Sequence, residues 1–219
     1  VIIIKRYKKG IETRNNIINA SKSLFYLQGL NSTTVQKIAD LASVNLGLLS
    51  YYFKTKNNII KIIFTDFFEK IYASVDNQVS NDKGVILIHM VKERVIYDII
   101  FKDSNNFRFF KEVLDKSIVL KLFEERTYNN YTRINNERGF EVDDNLIKCY
   151  SSLECGGRLN LLKNYVDETL QVEYDDLINI LVSCTPRLFG VDYSTITKYL
   201  ESSLEIQNSI DYKKIKMLI

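Results

Sequence analysis

The chain has 219 residues, 46% of them hydrophobic and 26% charged, with a formal net charge of +3. That composition belongs to a folded globular protein of one large or two modest domains and excludes a disordered or fibrous chain. One proline and eight glycines are too few for a sandwich or barrel of short strands, which needs a turn residue every ~8–12 positions. Long helices are the expectation, and the fold class read from the sequence is all-α.

The residues exclude several functions. Cys149, Cys155 and Cys184 are odd in number and form no C-x-x-C pair, so a reduced chain in the cytoplasm is expected. A single histidine, His89, cannot build an ordinary zinc site, and no cofactor is expected. Catalysis would need a nucleophile with its base, a metal cluster or a phosphate-cradling glycine loop, and the sequence offers none of them. The apolar run Val1–Ile4 precedes Lys5-Arg6, the wrong order for a signal peptide, and is too short for one. No window approaches the ~18 apolar residues of a membrane helix, so no membrane partner is expected.

Charge is unevenly spread. Residues 1–70 hold eleven basic and four acidic residues, a net +7, and the rest of the chain carries −4. A basic head on a mildly acidic body points to a head that meets a polyanion.

In chain order, residues 12–28 read as a helix whose inner face carries Ile17, Ala20, Ser21, Leu24, Phe25 and Leu27, closed by Gly29. Ser32 or Thr33 can cap a short second helix with Val35, Ile38, Ala39 and Ala42 inward. Asn45 can cap a third from Leu46 to about Tyr52, with Val44, Leu49 and Phe53 as inward anchors. Thr55 then caps a long fourth helix that ends near Ser80. Two short helices across a tight turn are a helix-turn-helix unit.

The run Thr33-Thr34-Val35-x-x-Ile38-Ala39-x-x-Ala42-x-Val44-Asn45-x-Gly47-x-Leu49-x-x-Tyr52-Phe53-x-x-Lys56 resembles the DNA-binding head of TetR-type (tetracycline-repressor-like) regulators, as does Leu24-Phe25 before Gly29. The resemblance covers roughly residues 12–64. It implies a helix-turn-helix head over residues 1–55 and a helical effector-binding and dimerisation body over 56–219, with helix 56–80 as connector. The chain departs from the usual pattern at Ser43 (glycine in the family), Asn45 (serine or threonine), Ser50 (a phosphate-contacting tyrosine) and Asn57 (glutamate). The tyrosine's contact can pass to Tyr51.

Physical roles on a duplex follow from position. A seven-residue helix fits the major groove with its amino end forward. Asn45, Leu46, Gly47, Leu48 and Ser50 are placed to read bases, with Leu46 and Leu48 touching thymine methyl groups. For Leu48, a place in the head's core stays open. Thr33 and Thr34 offer hydroxyls and N–H groups to a phosphate, and Thr33 could also be a cap. Tyr51, Tyr52, Lys54 and Lys56 crowd the far end where the DNA backbone runs, and for Tyr52 core packing is the other reading. Lys5, Arg6, Tyr7, Lys8 and Lys9 form a basic arm.

Beyond Lys83 six more helical segments follow: 85–101, 107–114, 118–134, 143–165, 173–188 and 193–204, with Pro186 kinking or ending the fifth. Two of them are apolar on more than one side, and the second stripe needs a partner. Cys155-Gly156-Gly157-Arg158-Leu159-x-x-Leu162 is also similar to the penultimate major helix of the TetR type. It implies a two-fold four-helix dimer through Gly156, Gly157, Leu159, Leu162, Ile178 and Val182, with a buried monomer core as the other reading. Two heads so held would address half-sites ~34–36 Å apart on a near-palindromic operator. Tyr97, Phe101, Phe109, Phe110, Phe123 and Tyr150 could line an effector cavity or simply form core. His89, Arg94 and Arg158 could meet an anionic effector. Against that, His89 reads as a structural residue and Glu154–Arg158 as an exposed i,i+4 pair. The function implied is a dimeric operator-binding regulator, a repressor released by a small molecule. The alternative is a DNA-binding protein whose body docks a protein partner.

Overall fold

Helix-favouring residues with few breakers produce ten α-helices and one short 3-10 turn, and no strand, among the described residues. The computed structural model describes the backbone from Ile2 and side chains from Lys8, through to Ile219. The head consists of α1 (Ile2–Gln28), α2 (Val35–Leu41) and α3 (Leu46–Tyr52), and α4 (Lys56–Gln78) leads out of it. α1 starts well before residue 12 because the only weak helix former between Lys5 and Glu12 is Gly10, which a helix tolerates. The side chains of Lys5, Arg6 and Tyr7 in the expected arm lie outside the described residues, while Lys8 and Lys9 are exposed on α1.

Caps set the boundaries. Gly29, at φ +83°, ends α1 and donates its N–H to the Phe25 carbonyl at 3.1 Å. The cap of α2 is Thr34, one residue beyond those expected: its hydroxyl oxygen accepts from Lys37 N. Asn45 Oδ1 accepts from Leu48 N at 2.8 Å and Thr55 Oγ1 accepts from Asn58 N, as the spacing predicts. Ile17, Phe25, Ile38, Ala39, Leu49 and Phe53 fill the head's interior. Leu27 and Val35, expected inward, are exposed instead, because each sits past the edge of its helix's inner arc.

The body is α5 (Val85–Phe101), α6 (Ser104–Val113), α7 (Ser117–Arg138), α8 (Asp144–Val166), α9 (Tyr174–Leu188) and α10 (Tyr193–Ser209). α5 is buried on nearly every side and packs against α4, α6, α7, α9 and α10. α7 and α8 pair along their length, and α10 runs beside α5. Pro186 ends α9 almost at once, at Leu188. Head and body share one hydrophobic core. Phe25 of α1 stacks on Phe109 of α6 with ring centroids 5.3 Å apart, and Phe64 of α4 stacks on the same ring at 6.0 Å. No helix of the described residues is long and apolar enough to cross a membrane.

Candidate nucleic-acid interface

The turn between α2 and α3 is made by Ala42, Ser43 and Val44. Ser43 adopts φ +54°, the left-handed conformation that glycine accommodates most easily. The turn delivers α3 with Leu49 and Phe53 inward and the opposite face in solvent. On that face Leu46 is 42% exposed, Leu48 37% and Tyr51 78%, and Asn45, Gly47, Ser50 and Lys54 are exposed too. Leu48 is therefore not part of the head's core. A β-carbon on Gly47 would meet only the Asn45 side-chain oxygen, at 3.3 Å. Tyr52 is half-buried, its ring edge-on to Tyr51 at 5.3 Å. Its hydroxyl lies 3.2 Å from where a β-carbon on Gly10 would sit, so Tyr52 braces α3 against α1.

Two of the expected phosphate ligands are engaged within the chain. Thr33 is only 1% exposed; its hydroxyl donates to the Gly29 carbonyl at 2.7 Å and accepts from Gln28 Nε2. Its role is to close the α1–α2 loop, and the exposed Thr34 is the residue left facing outward. Lys56 turns back into the head, where its ammonium donates to the carbonyls of Leu30 at 3.0 Å and Thr33 at 2.7 Å. Burial lowers its pKa, nearby Lys116 lowers it further, and Glu112 opposes. A side chain that fastens α4 to the loop is not a flexible phosphate contact.

The expected dimer residues are corrected in part. Leu162, Ile178 and Val182 are 0%, 3% and 1% exposed, so the second apolar stripe of α8 and α9 is already covered by the chain's own core. Leu159 is half-buried against that core. Gly156 and Gly157 do lie on the surface, with nothing within 4 Å of an added β-carbon. The exposed apolar residues of these helices are Leu146, Leu153 and Ile180.

The aromatic residues proposed as cavity lining are mainly core: Tyr97, Phe109, Phe110 and Phe123 are buried. The Glu154–Arg158 pair is not exposed either. Both residues are buried, and they belong to a charge network across α5, α7, α8 and α9. Arg158 donates to Glu154, to Glu93 at 2.7 Å, to the Tyr97 hydroxyl at 2.7 Å and to the Leu181 carbonyl. Arg126 donates to both carboxylate oxygens of Glu93 and shares Oε2 with Arg158. Burial alone would raise the Glu93 carboxyl, but Arg126 and Arg158 override it and hold it well below the usual carboxylate range. Burial pushes the Tyr97 phenol up to about 12. The Tyr131 hydroxyl donates to Glu154 at 2.7 Å, and His89 shares a hydrogen bond with Thr185 at 3.2 Å. Arg94 is held by Ser203, Asn179 and the Leu200 carbonyl. Glu93 and Arg126 escaped the sequence reading. The signal was present in Lys92-Glu93-Arg94, three consecutive charges inside a largely apolar helix, since buried charges require partners.

The geometry is that of a helix-turn-helix head with the outer face of α3 exposed, carried on a helical body. Residues 17–62 match the model of the bacterial regulatory proteins of the tetR family. A probable HTH-type transcriptional regulator, YttP of Bacillus subtilis strain 168, is 32% identical over 71 residues, 32% of this chain and 34% of that protein. The chain is thus matched over about a third of that relative's length. RolR, solved in complex with resorcinol, has the same fold at TM-score 0.65 and 14% identity, covering 89% of this chain and 95% of its own. TylP, a TetR regulator from Streptomyces fradiae, does so at TM-score 0.54 and 14% identity, with 91% and 97% coverage. The head, residues 17–62, is thus similar to the DNA-binding segment of tetR-family regulators, and the chain as a whole shares the all-helical fold of these solved structures.

Proposed function

We propose that this protein is a dimeric, sequence-specific DNA-binding repressor, acting in the cytoplasm and released from a near-palindromic operator by a small-molecule effector. Residues 1–55 serve as the DNA-binding head, helix 56–80 as the connector and 56–219 as the effector-binding and dimerisation body. The observation that carries the reading is the outward face of α3. Leu46 and Leu48 are large apolar side chains held in solvent, with Asn45, Gly47 and Ser50 beside them, on the most basic part of the chain. Exposed leucines at the front of a short helix suit thymine methyl groups in a major groove. Thr34, Tyr51 and Lys54 flank them as phosphate contacts, and Tyr52 supports the helix from behind.

Dimerisation is assigned to the outer faces of α8 and α9, where Leu153 and Ile180 are exposed and Gly156 and Gly157 allow close helix approach. The effector reading is supported by the fold shared with RolR, which was solved with resorcinol bound. Selection from random duplexes, followed by binding across a salt series, tests the DNA reading. The expected product is an inverted repeat with half-sites about 34–36 Å apart or a multiple, bound with steep salt dependence. Salt-independent binding, or enrichment of no duplex, would overturn it.

A further inference from the structure

Asn45 stands at the front of α3 with its side-chain amide held in one sense. It is the N-cap, at φ −79° and ψ 159°, and its Oδ1 accepts from Leu48 N at 2.8 Å. That N–H belongs to the first turn of the helix, where the backbone supplies no acceptor. Only the oxygen of an amide can meet an N–H, so the cap also decides which end of the amide is left over. The oxygen is tucked against the helix, since a β-carbon on Gly47 would sit 3.3 Å from it. Asn45 is exposed, and its Nδ2 makes no hydrogen bond among the described residues. The amino group is not needed for the cap. Thr34 and Thr55 cap α2 and α4 with hydroxyls alone.

An asparagine that reads a base ordinarily pairs with adenine, its oxygen accepting from N6 and its nitrogen donating to N7. The oxygen of Asn45 is committed to the helix. Meeting adenine would either strip Leu48 N of its partner or leave the adenine amino group desolvated and unpaired, and both are costly once water is excluded. Guanine makes the opposite demand. Its major-groove edge carries N7 and O6, two adjacent acceptors and no donor, which suits a group that can only donate. Thymine offers one acceptor, O4, and cytosine none.

We infer that Asn45 is a specificity-determining residue of this head and that it reads guanine, by donation from Nδ2 to N7 or O6, in place of adenine. The inference rests on the operator reading above and names the base that one residue of it selects. The preference is imposed by the helix, because the cap takes the oxygen and presents the nitrogen. Leu46 and Leu48 keep their thymine methyl groups, so each half-site places a G·C pair beside those thymines.

The test is selection from random duplexes with the full chain and with Asn45→Ser, followed by competition binding on the selected operator. Serine keeps a capping oxygen and removes the amino group, and Asn45→Thr is a second variant of the same kind. One column of each half-site should be G·C with the unaltered chain and lose its preference with both variants. Changing that pair to A·T, with the purine on the same strand, should weaken the unaltered chain by about fivefold or more and either variant by less than about twofold. A side chain that only caps predicts identical columns for all three proteins, and that result would overturn the inference. So would an A·T pair at the column that relaxes, or an equal loss for the unaltered chain and the variants on the changed operator. The two readings fail separately. Enrichment of no duplex by the unaltered chain removes the operator reading and this one with it. An enriched operator whose columns are indifferent to Asn45 removes this one alone.

Discussion

The Glu112 carboxylate of α6 accepts the backbone N–H of Asn31, in the α1–α2 loop, at 3.0 Å, and the N–H of Leu30 through the same oxygen. Around it, the Tyr26 hydroxyl donates to Asp103 at 3.0 Å and Arg108 donates to the Tyr26 carbonyl. A body helix thus supplies polar groups that a head loop lacks, beside the stacked Phe25 and Phe109. Glu112→Ala should lower stability by about 1–2 kcal/mol, the worth of two partly exposed hydrogen bonds to a charged acceptor. Faster amide exchange at Leu30 and Asn31, with α10 unchanged, is the accompanying signature. Unaltered exchange in the loop would refute the clasp.

Ser43 sits at φ +54° on the exposed α2–α3 turn. Glycine takes that conformation without the β-carbon strain, at some cost in unfolded-chain entropy. Ser43→Gly should stabilise the protein by about 0.5–1 kcal/mol, a melting shift of about 1–4 °C for a chain this size. Ser43→Val should shift it the other way, since a β-branched side chain tolerates positive φ poorly.

Acid should destabilise the body in two stages. Burial drives the His89 pKa from 6.5 down to about 4, against the pull of Glu93 and Glu154. The unfolded chain binds the His89 proton more tightly than the folded one, so stability is full above about pH 6.5 and falls as pH drops toward 4. The loss reaches about 3 kcal/mol at most. Below pH 4.5 the depressed Glu93 carboxyl adds a second loss in the same direction. Urea midpoints measured from pH 7 to pH 4 should fall, and His89→Gln should flatten the upper part of that curve. A slope untouched by the substitution would place the titration elsewhere.

Removing one member of the buried network leaves charges without partners. Glu93→Gln strips the shared counterion from Arg126 and Arg158, and should cost about 3–5 kcal/mol. Glu137→Ala breaks the exposed Arg133–Glu137 pair and should change stability by less than about 1 kcal/mol. Chemical denaturation of the two variants side by side gives the comparison.

On a selected operator, the reading face and its flanks should respond differently. Leu46→Ala should relax the preference for thymine at one position per half-site, by about 1 kcal/mol or more. Lys54→Ala should weaken all sequences alike and reduce the salt slope by about one per protomer. A Leu46 variant with unchanged preference would remove this residue from base reading.

How much of this was legible beforehand differs by interaction range. Helices, caps and the turn are written in neighbouring residues: Asn45 with Leu48, Thr55 with Asn58, Gly29 after Gln28. Local hydrogen bonding and the 3.6-residue period dictate them, so α3 from Leu46 to Tyr52 and its exposed leucines could be read directly. Tertiary structure decided which groups meet across long stretches of chain. Glu112 and Asn31 are 81 residues apart, and Glu93 and Arg158 are 65 apart. No local periodicity encodes such a meeting. It turned Lys56 and Thr33 from outward contacts into internal fasteners, and Leu162, Ile178 and Val182 from a dimer surface into core. A helix's own pattern says that a second apolar stripe must be covered, but only the packing of the other helices says by what.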